Sequence, residues 1–395
     1  MGPEVITTIS PSTNKPVLTR TGLSDSDIAL LPSSSTQAFG SFRLTSLEER
    51  RSIVGKALKL ISEKQNVLAR ELTEQMGRPI AYTAVEIKTA VKRGEYLLKI
   101  SADALKDTEG EPEKGFKRYI RKAPIGPVLI LFAWNVGSRS VAAGLQVQKA
   151  AAERVVPVGL ELGGKDPAYI RDDVDIKWAA EEIVDGAVFN SGQSCCSVER
   201  VYVAECVYDQ FVAAVQEVLK GYKLGDPFDQ ATNIGPVISR RSAETIKAHV
   251  DDAISKGAID STPLNQSFSS PPPGGNYVKP TLLTNVTHDM DVMNDETFGP
   301  VIPVMKVGDD EEAIRLMNDS EFGLTASIWT KDTVKGEELA EHVEAGTIFI
   351  NRCDFPSPDL AWTGWKNSGK GVTLSKFGFE QFVKLKSFHI KDYPM

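Results

Sequence analysis

Apolar positions recur at helical spacing early in the chain, at Val54, Leu58, Ile61, Leu68, Leu72 and Met76. Ser46 and Glu49 form a capping box ahead of this run, and Gly77 with Pro79 closes it. The pattern predicts one helix here and a second from about Ala81 to Leu105. Residues 1–40 are polar and rich in Ser, Thr and Pro, with one strand predicted at Val5–Ile9. Residues Thr108–Lys117 are charged and read as a connector. The pattern then changes. Val128–Phe132 is a continuous apolar run behind Pro127, which suits a parallel strand buried on both faces. A helix is predicted at Val141–Glu153 and a strand at Val155–Leu162. Helical and strand patterns then alternate through Ile176–Val188, Arg200–Val203, Tyr208–Tyr222, Val301–Met305, Glu311–Asn318, Ala326–Trp329, Val334–Val343 and Gly346–Asn351. This alternation predicts an α/β fold. Ser267–Tyr277, with three prolines and two glycines at its centre, is the most loop-like stretch.

The length of 395 residues allows two or three domains with their own cores. A net charge of -8 leaves no footprint for nucleic acid, so none is expected as a partner. No apolar run approaches the roughly 18 residues of a membrane span, so no membrane partner is expected. The first ten residues lack a cationic start and an apolar block, and four cysteines do not make a disulfide framework. The expectation is a soluble, cytoplasmic protein.

Several chemistries drop out on spacing. The chain has no GxGxxG and no GxSxG. Gly364–Lys370 has phosphate-loop spacing, but Gly371 stands where a hydroxyl should hold magnesium. The four histidines are scattered and no CxxC occurs, so no metal site is expected.

Two segments carry candidate chemistry. One is Leu160–Pro167, with Glu161 in an apolar strand that runs into Gly163 and Gly164. A carboxylate there should be desolvated or paired. The other is Phe189–Cys196, in which Cys195 follows a Gly-Gln turn where a thiol could be exposed. Taken singly, each residue has an ordinary structural explanation: a small buried thiol, or a glutamate at a strand end.

Together, 34 residues apart, the two segments resemble the glutamate and cysteine signatures of the aldehyde dehydrogenase superfamily. Glu296–Pro300 is similar to that family's cofactor-ribose motif, and Asn351 matches its late active-site asparagine. Trp362–Gly369 resembles its substrate-side loop, and Trp134-Asn135 its oxyanion motif. Phe116–Ala123 and Phe382–Lys391 resemble its oligomerisation strands, and the motif wording is closest to fungal members. The resemblance implies a catalytic set of Cys195, Glu161 and Asn135. Cys195 would attack an aldehyde, with the oxyanion held by Asn135 and the Cys195 N–H. Hydride would pass to NAD or NADP, and Glu161 would activate water to release the acid. Glu296, Phe298, Leu162, Gly163 and Ser140 would face the cofactor; Trp362, Ser194 and Cys196 would face the substrate. A homo-oligomer, dimer or tetramer, is implied by the family alone.

The resemblance breaks at one place. Asn135 and Glu161 are 26 residues apart, where the family has most of a dinucleotide domain. About 70–80 residues, on the order of two βαβ units, are missing between Asn135 and Ser140. The expected organisation is a truncated Rossmann-like cofactor domain over 1–110 and 128–160, a complete catalytic domain over 161–350, and oligomerisation strands at 111–127 and 373–395. NAD(P) binding should be weakened or lost. Two alternatives follow: a cofactor-free thiol esterase, or an inactive pseudoenzyme acting as a truncated subunit.

Overall fold

The structure, a computed structural model, describes residues 4–131 and 140–393. Its core is a seven-stranded sheet, consistent with the α/β expectation. The strands lie in the order Thr347–Ile350, Thr325–Trp329, Asp166–Ile170, Val198–Ala204, Val301–Val307, Thr281–Thr284 and Ile259–Asp260. All neighbours are parallel except the last pair. Alternation along each strand sends side chains to opposite faces. Ala168, Ile170, Val201 and Val203 point to the face covered by Ile176–Val188 and Tyr208–Lys220. Tyr169 and Tyr202 point to the other face, against Arg240–Ser255 and Asp310–Asn318. With both faces covered, the strands read as continuous apolar runs.

The helix Ile176–Val188 shows why these segments start where they do. Asp175 caps it by accepting from the N–H groups of Lys177 and Trp178. Its apolar side, Ala179, Ala180, Ile183, Val184 and Ala187, is fully buried.

The N-terminal third is helical. Ser46 and Glu49 close the capping box, but the single expected helix is two, Leu47–Glu63 and Gln65–Met76, parted at Lys64. Gly77 ends the second in the left-handed region at φ 75°. Both pack on Ile80–Ala104. An unexpected helix, Asp25–Phe42, occupies the polar N-terminal stretch behind its own capping box, and buries no residue. Beyond the helices, Phe116–Pro124 pairs antiparallel with Val383–Lys391 over its whole length, and Thr108–Glu109 adds a third strand inside the expected connector.

Two expected strands are not formed. Val128–Leu131 lies outside any strand, and its side chains are exposed, Leu129 at 82%. Phe132 lies outside the described residues. Of Val155–Leu162 only Leu160–Glu161 is a strand, and it pairs with Gly369–Lys370. Val155 is fully exposed. The physical reason is the same in both cases. An apolar strand persists only where neighbours take its backbone hydrogen bonds and cover its faces. Among the described residues no strand pairs with Val128–Leu131 or with Val155–Gly159.

Burial therefore separates residues that hydrophobicity alone would not. Ile183→Ala, in the covered face, should cost about 2–4 kcal/mol in urea unfolding. Leu129→Ala should change stability by less than about 0.5 kcal/mol, although its sequence context is more hydrophobic.

Candidate active site

Three of the sequence motifs stand immediately before parallel strands of the main sheet. Glu161–Gly164 leads into Asp166–Ile170, Ser194–Cys196 into Val198–Ala204, and Glu296–Pro300 into Val301–Val307. Because those strands are parallel neighbours, the segments preceding them meet at one end of the sheet.

Close backbone approach draws them together further. Asn190, Ser191 and Gly192 are all left-handed, at φ 51°, 61° and 70°. This turn presses Gly192 onto the second motif: a Cβ there would lie 2.2 Å from the Gly299 carbonyl oxygen. Asn190 and Gln193 lock the turn by donating from their amides to each other's carbonyls, both at 3.1 Å. Gln193 also accepts from the Ile238 N–H at 2.8 Å. Only glycine fits at Gly192, and hydrogen bonds hold the two non-glycine residues in a conformation that L side chains rarely adopt.

Beneath these loops lies an ion pair. Lys165 Nζ is 2.6 Å from Glu199, and neither side chain is more than 4% exposed. The Glu199 carboxylate also accepts from the Thr297 and Phe298 N–H groups, each at 2.8 Å. Lys165 donates to Thr297 Oγ1 as well, at 3.2 Å. Burial pushes the Lys165 ammonium below its usual range, and the Glu199 charge opposes that shift. The pair thus fixes the Glu296 motif against both strands. Neither partner was singled out from the sequence. The signal available was a Glu-Arg pair inside the apolar strand Val198–Ala204, a strand that the sequence reading began only at Arg200.

Glu296 itself is buried. Its Oε1 accepts from the Gly164 N–H at 3.1 Å, while Oε2 has no partner. Burial, reinforced by the Glu199 charge, pushes its carboxyl up to about 9. Phe298 is buried with φ 51°, and Gly163 abuts Glu296 directly. Leu162 packs against Gly144 of the helix Ser140–Ala151, which Ser140 opens.

Cys195 is partly accessible and packs beside Cys196, Leu324 and Trp362. Asp354, which the sequence gave no reason to choose, sits behind them. Its Oδ1 accepts from Ser194 Oγ at 2.9 Å and from Cys196 Sγ at 2.8 Å. Cys196 is held well above the usual thiol range, first by its link to Cys195 and then by burial. It is a buried, proton-bearing neighbour of Cys195.

Other expected residues fall elsewhere. Glu161 is exposed, not desolvated in an apolar strand; its carboxylate accepts from Thr373 Oγ1. It still borders the cysteine cluster, because Thr373 pairs through its backbone with Trp362. Asn351 follows its strand, so it lies toward the opposite sheet end, and its amide is taken up by both backbone groups of Thr330, at 2.9 and 2.8 Å. Asn135 lies outside the described residues, as does the junction before Ser140. Among the described residues no cluster could hold a metal, and no helix is long and apolar enough to cross a membrane.

A family profile described as the aldehyde dehydrogenase family matches residues 2–139 and 136–388. An aldehyde dehydrogenase of Paenarthrobacter nicotinovorans is 39% identical over 248 residues, covering 63% of this chain and 53% of that protein. The chain thus spans about half the length of several curated relatives that it matches. An NADP(+) succinate-semialdehyde dehydrogenase of Mycobacterium avium (strain 104) is 28% identical over 462 positions, covering 98% of this chain and 96% of that protein. A Staphylococcus aureus betaine aldehyde dehydrogenase, solved with NAD+, superposes with a TM-score of 0.89 at 25% identity, covering 99% of this chain and 95% of that one.

Two outcomes test the site. Lys165→Met, which strands a buried carboxylate, should cost about 3–5 kcal/mol in denaturant unfolding. At mildly alkaline pH, iodoacetamide should modify Cys195 well before Cys196, read by peptide mass spectrometry, because Cys196 is buried and keeps its proton.

Proposed function

This chain belongs to the aldehyde dehydrogenase family, and we propose that its chemistry is oxidation of an aldehyde to a carboxylic acid through covalent attachment to Cys195. The observation that carries this reading is the convergence of Cys195, the Gly163–Gly164 turn and Glu296 at one end of the sheet.

The Cys195 thiolate would add to the carbonyl carbon and form a thiohemiacetal. Its backbone N–H, with Asn135 by resemblance, would hold the oxyanion. The thiohemiacetal becomes a thioester by losing its hydride, and NAD(P)+, when bound, would supply the acceptor for that hydride. Water then adds to the resulting thioester, a carboxylate takes the water proton, and the thiolate leaves as the acid is released. Glu161 is the base in this proposal; it reaches the site from the edge pair Leu160–Glu161, beside Thr373 and Trp362. Trp362, Ser194 and Cys196 form the wall around the thiol on which the substrate would lie.

The unpartnered Oε2 of Glu296 fits one half of the cofactor, since a buried acceptor of this kind suits a ribose hydroxyl. Phe298, Leu162 and Gly163 would flank the nicotinamide. For the other half we infer an internal deletion. The family profile matches in two pieces that overlap at residues 136–139, and the alignment to the M. avium relative is longer than this chain. The exposed Val128–Leu131 run is what a sheet deprived of neighbouring strands would leave. On this reading residues 1–110 and 128–160 are a truncated cofactor domain, 161–350 a complete catalytic domain, and 111–127 with 373–395 an oligomerisation element. NAD(P) is then held weakly, without most adenosine contacts.

NADH or NADPH formation by the purified chain across a panel of aldehydes, with Cys195→Ala as control, tests the reading. Aldehyde-dependent turnover lost in the variant is the expected result, with cofactor KM values about tenfold or more above those of full-length relatives. Ester hydrolysis that needs Cys195 but ignores NAD+ would replace it with the thiol-esterase alternative. A folded protein with neither activity would leave the pseudoenzyme.

A further inference from the structure

Cys195 has a second thiol as its neighbour, and the two share the centre of one turn. The Ser197 N–H donates to the Ser194 carbonyl at 3.1 Å, which places Cys195 and Cys196 at the two central positions. Ser197 Oγ fastens the far end by donating to the Gly186 and Ala187 carbonyls, at 2.9 and 3.2 Å. Asp354 fastens the other side. One oxygen, Oδ1, accepts from Ser194 Oγ at 2.9 Å and from Cys196 Sγ at 2.8 Å. The loop that carries Asp354 is itself tied down on both flanks. Cys353 Sγ donates to the Glu182 carbonyl of the helix Ile176–Val188, and Arg93 of the helix Ile80–Ala104 donates to the Pro356 carbonyl at 2.9 Å. Between them Asp354 has φ 46°, a left-handed conformation that aspartate tolerates better than most residues.

We propose that Asp354 is a positioning residue that makes Cys195, and not Cys196, the nucleophile. It holds the Cys196 thiol as a hydrogen-bond donor and pins Ser194 on the other side of Cys195. A thiolate at Cys196 could no longer donate. It would also face a carboxylate oxygen 2.8 Å away, in a position only 3% exposed. Cys195, by contrast, is partly accessible beside Leu324 and Trp362. Cys196 also keeps its proton through its link to Cys195 and through burial, and Asp354 and Asp166 act in the same sense. Asp185, on the helix Ile176–Val188, opposes ionisation of Asp354, while Arg78, stacked on Phe189, favours it. Burial keeps the Cys353 thiol protonated. The inference rests on the reading of Cys195 as nucleophile and needs neither bound cofactor nor aldehyde turnover.

Iodoacetamide, an uncharged probe, tests it on the full chain. Alkylation of Cys195 and of Cys196 is followed separately by peptide mass spectrometry from about pH 7 to about pH 10. In wild type Cys195 should lead throughout. D354N keeps the side-chain size and suits the left-handed backbone, but removes the charge. Its Cys196 profile should shift about one unit to lower pH, and the lead of Cys195 at about pH 8 should narrow about tenfold. A purely structural role for Asp354 would change the Cys196 rate by one factor at every pH. A Cys196 profile that does not shift in D354N would overturn the proposal. If D354N does not fold by circular dichroism, D354G, which accepts a positive φ freely, decides. A shift to lower pH then supports the proposal, and a rise by the same factor at every pH, which reports access alone, overturns it. Wild-type Cys195 no more reactive than the exposed Cys206 at every pH would instead overturn the nucleophile reading, and this inference with it.

Discussion

The buried pair of Lys165 and Glu199 is the constraint on which the site depends. Each partner belongs to one of two adjacent parallel strands or its leading turn, and Glu199 also gathers two N–H groups from a third segment. A charge so far from water is tolerated only when its hydrogen bonds are satisfied. Here Glu199 receives three donors and Lys165 has two acceptors. Such a pair adds little net stability, since desolvation offsets most of the attraction. Its effect is geometric, because any other register would leave a charge unpaired. In this register Glu296 lies against Gly163 and Gly164, and Gly192 against Gly299.

The rest of the site follows from strand direction. Parallel strands deliver their leading turns to one end of the sheet, so the distant motifs meet without any local attraction between them. Glycine then sets the approach distance. At Gly163, Gly164 and Gly192 a methyl group would overlap a carboxylate or carbonyl oxygen. The polar chemistry is thus suspended over an apolar sheet; burial there pushes the Glu296 proton toward retention, and Cys196 keeps its proton first through its link to Cys195 and then through burial. Asp354, buried behind Ser194 and Cys196, belongs to the same balance and is itself held above the usual carboxylate range by burial.

Against this ordered end of the molecule stands the uncovered run Val128–Leu131. Its composition is that of an inner strand, yet its side chains face solvent. Local preference for extended structure cannot hold a strand that has no neighbour to accept its hydrogen bonds. The helices Asp25–Phe42 and Leu47–Glu63 differ: neither buries a residue, yet both form, because a helix satisfies its backbone hydrogen bonds within itself.

Much was legible in the sequence because it is carried by short-range patterns. The Ser46–Glu49 cap, the stop at Gly77, the helix Ile176–Val188 and the alternation after residue 166 all depend on neighbours a few positions apart. The two motifs around Glu161 and Cys195 were legible for the same reason, since each is a short contiguous stretch that resembles a family signature. Much of what remained hidden depends on partners distant in the chain or on a missing partner. Asp354 meets Cys196 across 158 positions, and Thr373 meets Glu161 across 212. The exposure of Glu161 and of Val128–Leu131 was hidden too, because an apolar context predicts burial only if something is there to do the burying. Sequence alone singled out candidate residues for the chemistry; the tertiary structure decided which of them are buried, paired or left to solvent, because burial and charge pairing are properties of the assembled sheet.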